Sequence, residues 1–381
     1  MSAGGPYRLL QGTTRITGVG HTGHGGRPFV LESGEALSVA DVRYAIYGEP
    51  NEACDNVVLL CHALSGSALV HQWWPVLLGN VFDLERDCVV CTNVIGSCYG
   101  STGPRSIDPH TRTPYGSRFP RVTVRDMVRA QALALSQLGI ERLRVVVGSS
   151  LGGMQALQWA IDFPERVEKC IAIGAAPLSA LALGLNHIQR QVLELGSDTD
   201  SAGRALAIAR AIAMLSYKSG DLLEERHARR ANRAGTAPWL AAEGRFDIAG
   251  YLDHQGRIFV ERFDPHTYSV LTRAMDLFDP ARDYGSTPAA CERILARVLL
   301  VGISSDWLFP ATDVRRLAAE LRGAGIDTRY HELISNHGHD AFLAEPEKLI
   351  PVVREFLREE RRAARFAAVG SAEGEHDGTR G

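Results

Sequence analysis

Buried strands and amphipathic helices alternate in the hydrophobic pattern of this chain. Residues 126–138 place apolar side chains at helical intervals, and Gly139 follows as a stop signal. Short, predominantly apolar runs, typical of strands buried on both faces, occupy residues 57–61, 88–94, 145–147 and 298–303. Strands and helices in this succession predict an α/β fold with a mostly parallel central sheet and helices on both faces.

The strand pattern disappears in the middle of the chain. Residues 205–215 are strongly helix-forming, which predicts a helical lid inserted over the carboxyl rim of the sheet. The strand pattern resumes at Val298, and a last helix is expected over 351–364. We therefore expect four parts: a first core part (1–177), a lid (178–290), a second core part (291–364) and a disordered polar tail (365–381).

A serine stands in the turn that follows the strand at 145–147. Gly148, Ser150 and Gly152 form the pattern Gly-x-Ser-x-Gly, and a helical segment follows them. This order predicts a nucleophile elbow, in which a strained turn exposes the serine hydroxyl above the sheet. The two glycines are expected because a side chain at either would collide with neighbouring backbone. The alternative is a glycine-rich turn that merely tolerates a serine.

An acid and two candidate bases follow the serine in the order that this elbow requires. Asp306 comes just after the strand at 298–303, although a helix-capping or turn aspartate would look the same. His337 and His339 lie at a loop-to-helix junction further on. A neutral imidazole can take the serine proton, while a carboxylate fixes its tautomer. Ser150, Asp306 and one of these histidines therefore form a candidate triad of an α/β-hydrolase fold.

Composition and charge narrow the class of protein. The chain has 381 residues, 45% of them hydrophobic, and a formal net charge of −3, which disfavours nucleic-acid binding. Its first residues do not resemble a secretory signal, and no apolar stretch approaches the roughly 18 residues of a membrane span. The chain has 7 cysteines, and Cys88 and Cys91 lack the second pair that a zinc site needs. We expect reduced, buried thiols in a cytoplasmic protein.

Long ordered segments resemble the homoserine O-acetyltransferase family. The resemblance runs from about residue 40 to about residue 355. It is carried by residues 61–66, 93–104, 114–116, 119–126, 152–159, 186–191, 251–252, 255–256, 262–264, 305–310 and 338–343. The family places its base directly before Asp-Ala-Phe-Leu, which selects His339 over His337. Ser149 departs from the family's usual glycine, and the loop at 65–70 is less typical.

This resemblance implies transfer of an acyl group from a coenzyme A thioester to a small hydroxy amino acid. Ser150 would carry the acyl group, which predicts ping-pong kinetics. The backbone N–H groups of Leu64 and Leu151 would form the oxyanion hole. Acetyl-CoA and L-homoserine, in methionine biosynthesis, are the expected substrates because they are the commonest in the family. Succinyl-CoA as donor, serine as acceptor, and a serine esterase or thioesterase remain alternatives. A catalytically dead binding protein would be expected to lose a triad member.

The resemblance also implies residues that hold the acceptor. Asp340 would bind its ammonium group, and Lys218 stands where the family supplies an arginine for its carboxylate. Lysine lacks the two-donor fork of arginine, so this departure bears on acceptor choice. Tyr217, Arg190 and Arg262 could contribute, or could be ordinary surface and lid-packing residues. A homodimer built partly through the lid is expected, with no metal and no bound cofactor.

Overall fold

The computed structural model describes residues 8–16, 27–196, 201–232 and 236–359. The strands are β1 (Leu9–Ile16), β2 (Phe29–Val30), β3 (Ala36–Leu37), β4 (Ala40–Tyr47), β5 (Val57–Cys61), β6 (Cys88–Thr92), β7 (Leu143–Ser149), β8 (Val167–Ile173), β9 (Arg297–Ile303) and β10 (Thr328–Leu333). The helices are α1 (Val70–Trp73), α2 (Val124–Gln137), α3 (Leu151–Asp162), α4 (Ala180–Leu195), α5 (Ala202–Ser216), α6 (Gly220–Arg226), α7 (Asp247–Val260), α8 (Pro265–Asp276), α9 (Thr287–Cys291), α10 (Ala311–Gly323), α11 (Ala341–Ala344) and α12 (Pro346–Arg358).

The main sheet of the described residues has 8 strands in the order β1-β4-β6-β5-β7-β8-β9-β10. β1 and β4 run antiparallel to their neighbours, and every pairing from β6 to β10 is parallel. The parallel arrangement puts the carboxyl ends of β5, β7 and β9 at one rim, where ligands of open α/β sheets bind. Two apolar clusters cover the two faces of this sheet. The predicted fold class is confirmed.

Helix boundaries differ from the sequence-based expectation by a few residues at caps and prolines. α2 begins earlier than predicted because Thr123 and Asp126 form a capping box. It ends at Gln137, one residue before the expected end, and Gly139 follows with a φ of 75°. α12 begins at Pro346, before the expected start at 351, because a proline in the first turn needs no amide donor. The predicted disordered tail at 365–381 lies outside the described residues.

Helices α4 to α8 lie between β8 and β9, within the segment expected to form the lid. The chain returning from them is fastened to the core by a polar cluster around Arg125. Its guanidinium donates to Asp162 Oδ1 at 2.8 Å and to the hydroxyl of Tyr284 at 2.7 Å, and it also pairs with Asp283. Among the described residues, no helix combines the length and hydrophobicity of a membrane-spanning segment.

Candidate active site

Ser150 occupies a strained turn between β7 and α3. Its φ of 56° and ψ of −128° fall where side chains rarely go. The turn is held by the Ser150 N–H, which donates to the Ile173 carbonyl at 2.9 Å. A Cβ at Gly148 would lie 2.2 Å from the Gly152 oxygen, and one at Gly152 would lie 2.1 Å from the Cys61 oxygen. The predicted steric need for both glycines is confirmed.

His339 and Asp306 meet beside this turn. The Nδ1–H of His339 donates to Asp306 Oδ2 at 2.7 Å, and both side chains are buried. Asp306 Oδ1 accepts from the backbone amides of Leu308 and Phe309 at 2.8 Å and 2.9 Å. Asp306 therefore stabilises the turn that follows it, as sequence analysis allowed, and also contacts His339. The Phe309 ring stacks on His339 at a centroid distance of 5.2 Å and fixes the plane of the imidazole.

The remaining nitrogen of His339 is available for proton transfer. Nε2 is buried and has no hydrogen-bond partner among the described residues. Burial lowers the pKa of His339, but the carboxylates of Asp306 and Asp340 together more than offset this effect, so the net shift is upward. His337 does not line the cavity that contains His339 and Ser150. The geometry therefore favours His339 as the base.

The loop that contains Leu64 is braced by a buried histidine that sequence analysis did not single out. His62 donates from Nδ1 to the Ala63 carbonyl at 2.8 Å, and its Nε2 accepts from the Val94 N–H at 3.1 Å. Burial lowers the pKa of His62 to about 4, so the ring stays neutral and keeps both bonds. Leu151 is the first residue of α3, where an amide has no intrahelical partner. Both predicted oxyanion donors thus lie on backbone fixed by local geometry.

A cavity of about 810 Å³ joins these parts. Its walls come from β1 and β4, from the loops after β5 and β6, from the lid and from the segment around His339. They include Arg43, Leu64, Ser65, Tyr99, Ser150, Arg210, Tyr217, Arg262, His339 and Asp340. Ser150, His339 and Leu64, predicted as nucleophile, base and oxyanion residue, therefore line one space that is large enough for a small ligand.

The lid is docked directly on the loop of the base. Asp340 N–H donates to the Tyr217 carbonyl at 3.3 Å, and a Cβ at Gly338 would lie 2.7 Å from that oxygen. The Tyr217 ring lies 5.7 Å from the His339 ring, centroid to centroid. Only the folded chain brings these segments together. The predicted positions of Tyr217 and Asp340 at the cavity follow from this docking.

The side chain of Lys218 is paired with Asp340. Its Nζ donates to Asp340 Oδ2 at 2.7 Å, and Lys218 is not among the residues that line the cavity. The residue therefore neutralises and orients Asp340 from behind.

Arg210 is the cation that sequence analysis missed. It lies on α5, two helical turns before Tyr217 and on the same face, and it lines the cavity. Its guanidinium lies 4.6 Å from the Phe259 ring centroid and 5.5 Å from that of Tyr217. Among the described residues it has no carboxylate partner, and its Nε is buried without a hydrogen bond. The seven-residue spacing to Tyr217 is the signal that could have found it.

Comparison with known proteins decides the family. A model of the alpha/beta hydrolase fold matches residues 56–346. A homoserine O-acetyltransferase of Symbiobacterium thermophilum is 42% identical over 353 residues, covering 87% of this chain and 92% of its own. The chain belongs to the homoserine O-acetyltransferase family. Another relative, from Alkalilimnicola ehrlichii, is 41% identical, with 89% of this chain and 93% of its own covered, and is named homoserine O-succinyltransferase.

Solved structures agree on the fold. The homoserine O-acetyltransferase of Bacillus anthracis superposes with a TM-score of 0.81, at 23% identity, over 92% of this chain and 98% of its own. At that identity the likeness concerns the fold alone. The alpha/beta hydrolase match includes Ser150, Asp306 and His339, which this chain brings together.

The two other arginines considered from sequence have different surroundings. Arg190 pairs with Asp276 inside the lid, and Asn186 donates to the same carboxylate at 2.8 Å. Arg190 is therefore a lid-packing residue. Arg262 is exposed and lines the cavity, where its Nη1 donates to the hydroxyl of Tyr99 at 2.7 Å and to the Ser65 carbonyl at 3.1 Å.

Proposed function

We propose that this protein transfers the acetyl group of acetyl-CoA to the hydroxyl of L-homoserine through an acetyl-Ser150 intermediate. The observation that carries the proposal is the unpaired, buried Nε2 of His339, in one cavity with Ser150 and held by Asp306. Membership of the homoserine O-acetyltransferase family supports both substrates. No resident cofactor is needed, because a triad and backbone donors suffice for acyl transfer.

The reaction has two half-reactions. His339 takes the Ser150 proton as the hydroxyl attacks the thioester carbonyl, and the tetrahedral oxyanion is stabilised by the Leu64 and Leu151 amides. Collapse breaks the carbon–sulfur bond, and the thiolate of coenzyme A leaves with the proton from His339. Homoserine then binds, and His339 removes its hydroxyl proton as the oxygen attacks the acetyl-serine. Collapse breaks the bond between the acetyl carbon and the Ser150 oxygen, which leaves with the proton from His339.

The acceptor needs one cationic and one anionic partner, because an amino acid is a zwitterion. Asp340 supplies the anion: Oδ2 is held by Lys218, while Oδ1 has no partner among the described residues. Arg210 supplies the cation, and its planar fork suits a carboxylate. A cavity with one residue for each of these charges suits an amino acid as the acceptor. An esterase uses water as the acceptor and needs neither residue.

Cellular setting and assembly are part of the proposal. We place the reaction in the cytoplasm, where acetyl-CoA is available, and the free, mostly buried cysteines agree with a reducing compartment. We also propose a homodimer formed partly through the lid, where Leu181, Ile188, Trp239 and Leu240 are exposed.

Free thiol release measures the proposed activity. Purified protein is mixed with acetyl-CoA or succinyl-CoA, each with homoserine, with serine or with no acceptor. Acetyl-CoA with homoserine is expected to give the highest kcat/KM, and release without acceptor should stop after one equivalent per active site. Preference for succinyl-CoA would retain the mechanism and change the donor, as in the Alkalilimnicola ehrlichii relative. Continuous release that ignores the acceptor would leave a thioesterase.

Replacing Arg210 tests how the acceptor is held. In Arg210→Gln, kcat/KM for homoserine is expected to fall about tenfold or more, since a hydrogen bond to a charged group contributes ~1.5–3 kcal/mol. Lys218→Gln should have a smaller effect, because Lys218 contacts Asp340 and does not line the cavity. Steady-state rates at varied homoserine measure both. A larger effect in Lys218→Gln than in Arg210→Gln would show that Lys218, and not Arg210, binds the acceptor carboxylate.

A further inference from the structure

Two arginines of the cavity have no role in the mechanism above. Arg43 on β4 donates from Nη2 to the Gln11 amide oxygen at 2.9 Å. Arg262 donates to the Tyr99 hydroxyl and to the Ser65 carbonyl. These partners are neutral, and neither arginine has a carboxylate partner among the described residues. Both therefore bring uncompensated positive charge to the cavity of a protein whose net charge is −3.

The cavity wall near the two arginines includes exposed residues, whereas Ser150 and His339 are buried. Arg262 is exposed, and Arg43 is paired across β1 and β4 with Thr13, which is also exposed and lines the same cavity. His339 is 4% exposed and Ser150 is 5% exposed. A ligand that reaches Ser150 from the exposed part of this wall lies in the same cavity as both guanidinium groups.

One short loop holds the two arginines in place. Tyr99 binds Arg262 at 2.7 Å through its hydroxyl. The next residue, Gly100, has a φ of 106°, and a Cβ there would lie 3.3 Å from Cγ of Arg43. The loop can pack against the stem of Arg43 because this position is glycine. Both side chains therefore contact the same loop, at neighbouring residues.

Phosphate groups match these two cations better than the acceptor does. The acceptor has one carboxylate, and Arg210 lies close to Tyr217 and the base to receive it. An acyl-CoA donor carries its thioester at one end and a pyrophosphate and a 3′-phosphate at the other. Arginine binds phosphate with two parallel hydrogen bonds. With the thioester at the buried Ser150, the phosphates at the far end of the donor would lie toward the exposed part of the cavity wall.

We infer that Arg43 and Arg262 form a phosphate-binding subsite that selects a nucleotide-bearing thioester over a shorter one. The inference rests on the proposed acyl-CoA chemistry and adds the residues that recognise the donor's far end. Because the two charges act on the donor alone, they affect the first half-reaction. In ping-pong kinetics, kcat/KM for the donor reports that half-reaction separately.

The test compares acetyl-CoA with S-acetylpantetheine, which has the same thioester and no phosphate. The ratio of their kcat/KM values is expected to fall about tenfold in Arg43→Gln and in Arg262→Gln, and about a hundredfold in the double variant. The ratio cancels any damage to Ser150 or to the oxyanion loop, which Arg262 also touches. Raising the salt concentration should lower the wild-type ratio and leave that of the double variant nearly constant.

Arg273→Gln on α8 is the matched control, because Arg273 is exposed and does not line the cavity. It should keep the wild-type ratio. A ratio that is unchanged in both single variants would overturn the subsite. Equilibrium binding of coenzyme A provides a readout that needs no turnover: its Kd should rise about tenfold in each variant, while that of pantetheine stays constant. Wild-type protein that binds coenzyme A but transfers no acyl group would refute the proposed function and leave the subsite standing.

Discussion

Ser150→Ala is expected to lower kcat for thiol release by a factor on the order of 10⁴ to 10⁶ and to abolish the acyl-enzyme. Ser150 lines the same cavity as His339, whose Nε2 has no hydrogen-bond partner among the described residues. Intact-mass spectrometry after mixing with acetyl-CoA alone should show one added acetyl group on the wild type and none on the variant. The first half-reaction then fails, and the second has no intermediate to attack.

Ser149→Ala is the matched control for this loss. Ser149 is the next residue along the chain, and its hydroxyl is buried without a hydrogen-bond partner among the described residues. The Ser149→Ala exchange also removes one serine hydroxyl, but at the residue before the predicted nucleophile, so acetylation and turnover should persist. Acetylation of Ser150→Ala at the wild-type rate would show that the acyl group resides elsewhere.

Asp306→Asn is expected to reduce kcat by about 10⁴ while leaving the fold intact. The asparagine oxygen can keep accepting from the amides of Leu308 and Phe309, as Oδ1 does now. Its NH₂ group then faces His339 Nδ1, which must accept, so the proton moves to Nε2. A protonated Nε2 cannot take the serine proton. Thermal unfolding should match the wild type, and Asp313→Asn on α10 serves as an exchange of the same kind outside the site.

The pH profile of this variant gives a second readout. His339 must be neutral to act as a base, so activity is lost as pH falls through its folded-state pKa. In the wild type Asp306 raises that pKa above the ordinary histidine value, whereas burial lowers it. With the carboxylate removed, the acid limb of kcat/KM should move to lower pH even as the rate falls. An unshifted limb would show that another group controls it.

Local sequence was sufficient for the parts of the site that depend on neighbours along the chain. Gly148 and Gly152 had to be glycines around Ser150, and the contacts at 2.2 Å and 2.1 Å show why. The continuous apolar runs predicted strands buried on both faces, which are typical of a parallel sheet. In such a sheet Ser150 and Asp306, which follow two of the strands, lie at the same rim. These features follow from the hydrophobic periodicity, the steric limits on the turn and the order of residues along the chain, all of which can be read from one sequence.

Positions on the lid could not be read in the same way. Lys218 and Arg210 are both cations near Tyr217 in sequence, and family resemblance pointed to Lys218. In the folded chain Lys218 is paired with Asp340, whereas Arg210 lines the cavity. His62 gave no signal either, because its two hydrogen bonds depend on a neighbouring carbonyl and on the amide of Val94. The orientation of α5 relative to the loop of Asp340 is set by packing between segments that are far apart in the sequence.

The sequence by itself thus determined the fold class, the elbow and the order of serine, acid and base, because each rests on local sterics or on periodic burial. Tertiary structure alone decided which histidine nitrogen is unpaired and that Arg43, Arg210 and Arg262 line the same cavity. Those outcomes depend on contacts between residues far apart in the chain, such as Arg262 with Ser65 and Lys218 with Asp340. Only chain folding fixes such distances.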